Sequence, residues 1–240
     1  MGGRVDRRLV QGEKSERQVE LRLRRELLRL SPVFRRISKL DRGLDAFERR
    51  EWRRARRLFE EALREESRAI GHYHLGLLYW RGLGGKPDKT AAVAHFARAA
   101  DDGLPGAQTA YGIALQSGIG VAKDVELARE QYRAAAGAQD GEAMVRLAAL
   151  SDPDEARYWL LRGSENGYPP AMLHLAELLM EHDPIDALAW LYTAVSLSGG
   201  DAARKRAAAL ARELTAKEIE TAQKTGRLYA KEIQQRNKRQ

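Results

Sequence analysis

The chain contains no cysteine, which removes disulfide scaffolds, cysteine-ligated metal sites and thiol nucleophiles together. Aromatic residues are scarce at 7%, too few for a core built from large rings throughout. Long apolar runs are missing too. The longest stretch without a charge, Gly103 to Ala122, holds five glycines and a proline and makes no membrane span. Met1-Gly2-Gly3-Arg4 lacks the apolar stretch of a secretory signal, so the expected location is cytoplasmic.

What is abundant is alanine and charge. Apolar types make up 43% of the 240 residues, but 37 of those residues are Ala, and charged types add 32%. That mixture suits helices packed through small side chains better than a thick mixed sheet. The net charge of +8 is unevenly spread. Residues 1–68 hold 21 Lys/Arg against 13 Asp/Glu, residues 69–200 hold 10 against 16, and residues 201–240 hold 11 against 5. Basic ends flanking an acidic middle fit nucleic acid, an anionic surface or an acidic protein, and equally a solvated Arg/Glu helical surface.

An internal repeat organises the chain. The trio Ala-x-x-x-(large apolar)-x-x-(Ala/Gly) occurs as Ala55/Phe59/Ala62, Ala92/Phe96/Ala99, Ala128/Tyr132/Ala135, Ala156/Leu160/Gly163 and Ala187/Leu191/Ala194, at offsets of 37, 36, 28 and 31. Spacings of four and three put each trio on one helical face, a large knob between small residues. A second pattern precedes the later trios: Gly71/Leu75/Gly76, Ala107/Tyr111/Gly112, Ala143/Leu147/Ala148 and Ala171/Leu175/Ala176. Each unit therefore reads helix, loop, helix. In the first two loops, Gly82-Leu83-Gly84 and Gly118-Ile119-Gly120 supply the turn and Asp88 and Asp124 cap the next helix. In the last two, Asp152-Pro153 and Asp183-Pro184 do so, with Pro in the first helical position.

The run Leu75-Gly76, Tyr79, Gly82, Gly84, Asp88, Ala92, Phe96, Ala99-Ala100 and Gly103 resembles the Sel-1-like repeat (SLR), a relative of the tetratricopeptide repeat. Trp159 and Trp190 fall where that repeat favours Trp, with His95 and Gln131 there in earlier copies, and Gln139 replaces a final Gly. The resemblance implies an all-α, right-handed α-solenoid of helix-turn-helix repeats. Its expected organisation is a basic N-terminal helical arm (1–37), a degenerate tetratricopeptide-like repeat (38–69), four Sel-1-like repeats (70–200), and C-terminal capping helices with a basic tail (201–240). Ser15 to Gln18 reads as a capping box opening the arm's helix, whose stripe is Val19, Leu23, Leu27 and Leu30. Ser31-Pro32 restarts a helix carrying Phe34 and Ile37, Thr215 to Glu218 opens the last helix, and fraying is expected from Gln234.

Candidate chemistry is thin. The glycine loop at 82–85 follows a helix and recurs at the repeat period, unlike a dinucleotide loop, which follows a strand. His72 and His74 stand two apart and point to different faces, while His95, His174 and His182 fall in separate units. No catalytic residue, metal site or cofactor is expected, and Asp101-Asp102 and Asp152/Asp154 read as helix-end residues. By analogy with tetratricopeptide repeats, the first helices line a partner-binding groove holding Tyr73, Leu77, Trp80, Thr109, Ile113, Gln116, Leu173 and Leu178. Tyr73 and Trp80 read equally as packing under the N-terminal unit. Arg49, Arg53, Arg56 and Arg57 would share one face of one helix as a basic ridge. The implied function is a non-enzymatic, bacterial-type scaffold or adaptor that binds a partner protein or peptide. The alternatives are nucleic-acid association through the basic arm, and a self-assembling structural protein.

Overall fold

The computed structural model describes residues 38–65 and 68–239, and divides after Glu65 into two compact units. The expected helix at 16–30 and its restart at Ser31-Pro32 lie outside the described residues. Among the described residues there are twelve helices and no strand.

The first unit shows a helical hairpin, α1 (Lys39–Glu48) and α2 (Trp52–Glu65). Ser38 and Asp41 form a capping box, with the Ser38 hydroxyl accepting the Asp41 amide at 3.0 Å. Between the helices Arg50 takes a left-handed conformation with φ of 61°, and Glu51 N–H donates to Ala46 at 2.8 Å. This break corrects the single helix expected through 49–57. A Cβ at Gly43 would lie 2.8 Å from the Phe59 ring, so only glycine lets the two helices meet there.

In the second unit the pairs are α3 (Ala69–Arg81) with α4 (Lys89–Asp101), α5 (Pro105–Ser117) with α6 (Val125–Gly137), α7 (Gly141–Ala148) with α8 (Pro153–Glu165), and α9 (Pro169–Leu179) with α10 (Pro184–Ser198). Then come α11 (Asp201–Leu210) and α12 (Ala216–Asn237). From α3 to α11 each helix packs mainly on its neighbours in the chain, α7 also touches α9, and α12 packs on α10. This is an all-α solenoid of stacked hairpins. Caps explain where the second helices begin. Asp88 accepts from Ala91 N–H at 2.9 Å, Asp124 from Leu127 at 3.0 Å, Asp152 from Glu155 at 3.0 Å, and Asp183 from Asp186 at 3.0 Å.

One contact recurs inside these pairs. A Cβ at Gly76 would lie 2.6 Å from the Phe96 ring, and one at Gly112 would lie 2.6 Å from Tyr132. In the third and fourth pairs Gly becomes Ala148 and Ala176, and the ring becomes Leu160 and Leu191, all four buried. The two changes conserve volume across the contact.

At the open end, α12 lies against α10. Its Gly226 comes so close that a Cβ would sit 2.7 Å from the Ala189 carbonyl, and Thr193 Oγ1 donates to the Gly226 carbonyl at 3.1 Å. Trp190 and Tyr229 stack with centroids 4.4 Å apart, and Tyr229 donates to Asp186 at 2.9 Å. Ile233 is buried, and Arg236 donates to the Glu165 carbonyl at 3.4 Å. The helix therefore continues to Asn237, where fraying was expected from Gln234.

The second helices of the first three pairs end alike. Gly103 N–H donates to Ala100 at 2.9 Å and Leu104 to Ala99 at 3.1 Å, and Gln139 with Asp140, and Gly167 with Tyr168, repeat the pair of bonds. The pivot φ is 79° at Gly103 and Gly167 and 68° at Gln139, so Gln139 bears the left-handed strain that glycine avoids.

Two stability outcomes follow. Gln139→Gly is expected to stabilise the fold by about 1 kcal/mol in urea melts. Gly76→Ala is expected to destabilise it by about 1–3 kcal/mol through overpacking, with most of the loss restored when Phe96→Leu is added. An unrestored double variant would rule out the volume-exchange account.

Candidate partner-binding surface

The groove residues named from sequence do not share one environment. Leu77 and Ile113 occupy the same register in α3 and α5, and both are half-buried. Leu173 is half-buried against the core formed around Leu175 and Leu191. Tyr73 leans on the cluster of Ala99, Ala100 and Ala107, with its ring 6.2 Å from Phe96. Trp80 stands 6.0 Å from the same ring, and the Lys89 ammonium lies 4.1 Å above the indole. That ammonium also donates to the Trp80 carbonyl at 2.6 Å. Gln116 is spoken for on one side, since its Oε1 accepts the Tyr132 hydroxyl at 2.9 Å.

Thr109 corrects the sequence reading. It is 5% exposed, and its hydroxyl donates back to the Pro105 carbonyl at 3.1 Å, so it offers a partner nothing. Its register falls inward because α5 starts at Pro105 and its first turn packs on the preceding pair.

The third unit supplies residues that the sequence reading left out. A hollow of about 380 Å³ opens between α7, α8 and α9, lined by Val145, Ala148, Ala149, Leu160, His174, Glu177 and Leu178. Val145 and Ala149 follow Thr109 and Ile113 by the 36-residue offset, and that offset alone could have found them. Leu178, at 37% exposure, forms part of the wall. Charged groups near this surface are already joined. Glu142 takes Arg146 at 2.8 Å and the Tyr168 hydroxyl, and Glu177 takes His174 at 3.0 Å and Arg206 at 2.8 Å. The Tyr168 phenol, half-buried and facing the Glu142 carboxylate, is held protonated well above its ordinary range.

The basic ridge in the first unit is not a bare cationic stripe. Arg49 caps the end of α1 and so does not lie on α2, and it pairs with Asp45 at 3.0 Å. Arg56 pairs with Glu60 at 3.0 Å and Arg57 with Glu61 at 3.8 Å, while Arg53 is exposed.

The histidines are arranged differently from the spacing argument. His72 and His95 face each other across the α3–α4 pair, Nδ1 to Nδ1 at 2.9 Å, and Tyr79 stacks on His95. Among the described residues no group of three or more His, Asp or Glu is placed to hold a metal ion.

A family model for the Sel1 repeat matches residues 69–104, 105–140 and 141–168. Residues 69–168 carry three Sel1 repeats. The solved Sel1 repeat protein from Oxalobacter formigenes superposes with a TM-score of 0.61 at 20% identity, over 70% of this chain and 74% of that one. A protective antigen of uropathogenic Escherichia coli strains, displaying an SLR fold, gives a TM-score of 0.47 at 20% identity over 75% of this chain and 49% of that one. No curated protein matches the chain. Sel1-repeat proteins generally act as scaffolds for protein–protein interaction, and the repeat family is generally non-catalytic. Among the described residues no helix is long and apolar enough to cross a membrane.

The histidines set a pH dependence. Burial, reinforced by Arg98 and opposed by Asp102, lowers the His72 pKa from 6.5, and burial lowers that of His74. The folded state therefore holds these rings neutral while the unfolded chain protonates them first. Their contribution is full well above pH 6.5 and is lost progressively as pH falls through 6.5. The lowered carboxylates Glu142 and Glu155 act only below their ordinary 4.5, outside that window. Urea midpoints measured from pH 7.5 to 5 are expected to fall in the wild type and to flatten in His72→Gln, and identical slopes would exclude His72 as a source.

Proposed function

We propose that this Sel1-repeat chain is a non-enzymatic cytoplasmic adaptor that binds a partner protein or peptide along its first helices. The observation carrying the reading is the half-buried apolar register of Leu77 and Ile113, with Val145 and Leu173, also half-buried, one turn earlier on the later first helices, and the hollow beside them. A half-buried apolar surface gains by being covered, and stacked hairpins hold it rigid beforehand. The paired arginines of the first unit weigh against the ridge as a nucleic-acid contact, because their charge is already matched by Asp45, Glu60 and Glu61, while the basic arm of residues 1–37 lies outside the described residues. On the same reading α9 and α10 form a fourth, divergent repeat, supported by the Ala176/Leu191 contact position, and α1 with α2 forms a degenerate tetratricopeptide-like unit, supported by Gly43 against Phe59.

The test is capture from nuclease-treated lysate with tagged full chain, followed by titration of the purified partner. Leu77→Gln with Ile113→Gln keeps side-chain size but inserts amides, and is expected to weaken binding by roughly tenfold or more at an unchanged far-ultraviolet spectrum. Undiminished binding would sink the groove assignment, and loss of all captured material on nuclease treatment would favour nucleic acid.

A further inference from the structure

We infer that the hollow between α7, α8 and α9 is an anchor pocket for one bulky apolar side chain of a partner peptide that carries Lys or Arg beside it. This rests on the adaptor reading above and narrows it to a place and a chemistry.

The hollow has an identifiable origin in the sequence. At 36-residue intervals one register reads Leu77, Ile113, Ala149. The first two side chains fill the space beside their helix, whereas Ala149 leaves it empty. The helix itself is short, since α7 has 8 residues where α3 and α5 each have 13. The glycine loop that follows the longer helices is replaced by Leu150-Ser151-Asp152-Pro153, and α8 starts at once. Truncated helix and small side chain together open a space of about 380 Å³ with the buried residues Ala148 and Leu160 in its lining. That is within the range of pockets that hold a ligand group, roughly 300–1,000 Å³.

Its chemistry selects the occupant. Five of the seven lining residues, Val145, Ala148, Ala149, Leu160 and Leu178, are apolar, so a polar side chain entering would lose its water without gaining bonds. Among the lining residues the one carboxylate is Glu177, and no Lys or Arg lines the hollow. Glu177 already accepts from Arg206 and faces His174, yet its side chain keeps 42% exposure and is open to a further donor. Residues 69–200 carry 16 acidic against 10 basic groups and residues 201–240 carry 11 basic against 5 acidic, so the charges of this unit balance and the preference for a cation rests on the exposed Glu177 carboxylate. Shape asks for an aliphatic or aromatic knob, and charge asks for a neighbouring Lys or Arg.

The experiment pans random peptides displayed on phage against the full chain, then measures fluorescein-labelled consensus peptides by anisotropy. The expected consensus places Leu, Ile, Met or Phe next to Lys or Arg. Ala149→Ile restores the side chain of the second repeat's register, so it should fold and melt as the wild type while binding falls roughly tenfold or more. Glu177→Gln leaves the hollow intact, and should weaken binding by roughly threefold and reduce its salt dependence. No consensus, a consensus without a basic residue, or unchanged affinity in Ala149→Ile overturns the proposal. Sedimentation showing self-association that Ala149→Ile abolishes also overturns it, by seating a second copy in the hollow. If Leu77→Gln with Ile113→Gln loses its captured partner while Ala149→Ile keeps it, the adaptor reading stands and the pocket falls.

Discussion

The contact between a residue without bulk on one helix and a large side chain on the next sets the geometry from which the solenoid follows. Gly76 against Phe96 and Gly112 against Tyr132 leave no room for even one more carbon. Close approach lets each hairpin bury its ring almost completely, and a buried ring contributes more than any other single side chain in an alanine-rich core. Where the small partner grows to Ala148 or Ala176, the large partner shrinks to Leu160 or Leu191. The spacing between helices is thus maintained by exchange of volume across the contact.

Charge plays a second and separate part. The acids Asp88, Asp124, Asp152 and Asp183 are consumed in starting the second helices. Others pair locally, as Glu142 does with Arg146 and Glu155 with Arg133. Hydrogen bonds from Arg133, Ser151 and Trp159 hold the Glu155 carboxyl down to about 2. The acidic excess of the middle region is therefore largely structural in its local duties, while its summed field persists over the surface.

Much of this was legible in the residues because it is periodic. A 36-residue offset carries helices, turns and caps together, and Asp-Pro pairs announce helix starts without reference to anything distant. What escaped was set by single positions or by distance. Nothing local marks the break at Arg50, since an arginine in the left-handed region is rare and its neighbours read as helix. The meeting of His72 with His95 depends on the pairing of two helices, not on spacing along one. Thr109 looked like a groove residue because its register matched, and only packing showed it facing inward. The hollow beside Ala149 was hidden because a missing side chain leaves no motif. A capping helix opening at Thr215 was legible, but its continuation past Gln234 to Asn237 was not, because that last stretch reads as polar.

That seating has a consequence for how such an array can change in length. Gly226 on the Ala189 carbonyl, Thr193 on the Gly226 carbonyl, and Tyr229 on Trp190 and Asp186 tie α12 to the outer face of the last hairpin. A duplicated hairpin added after α10 would have to evict this helix and recreate four matched contacts at once. A duplication inserted between α4 and α5 meets no such demand, because the junctions at Gly103 and Gln139 use the same two hydrogen bonds and are interchangeable. Growth of this protein by gene duplication is thereby polarised, open among the early hairpins and closed at the carboxyl end.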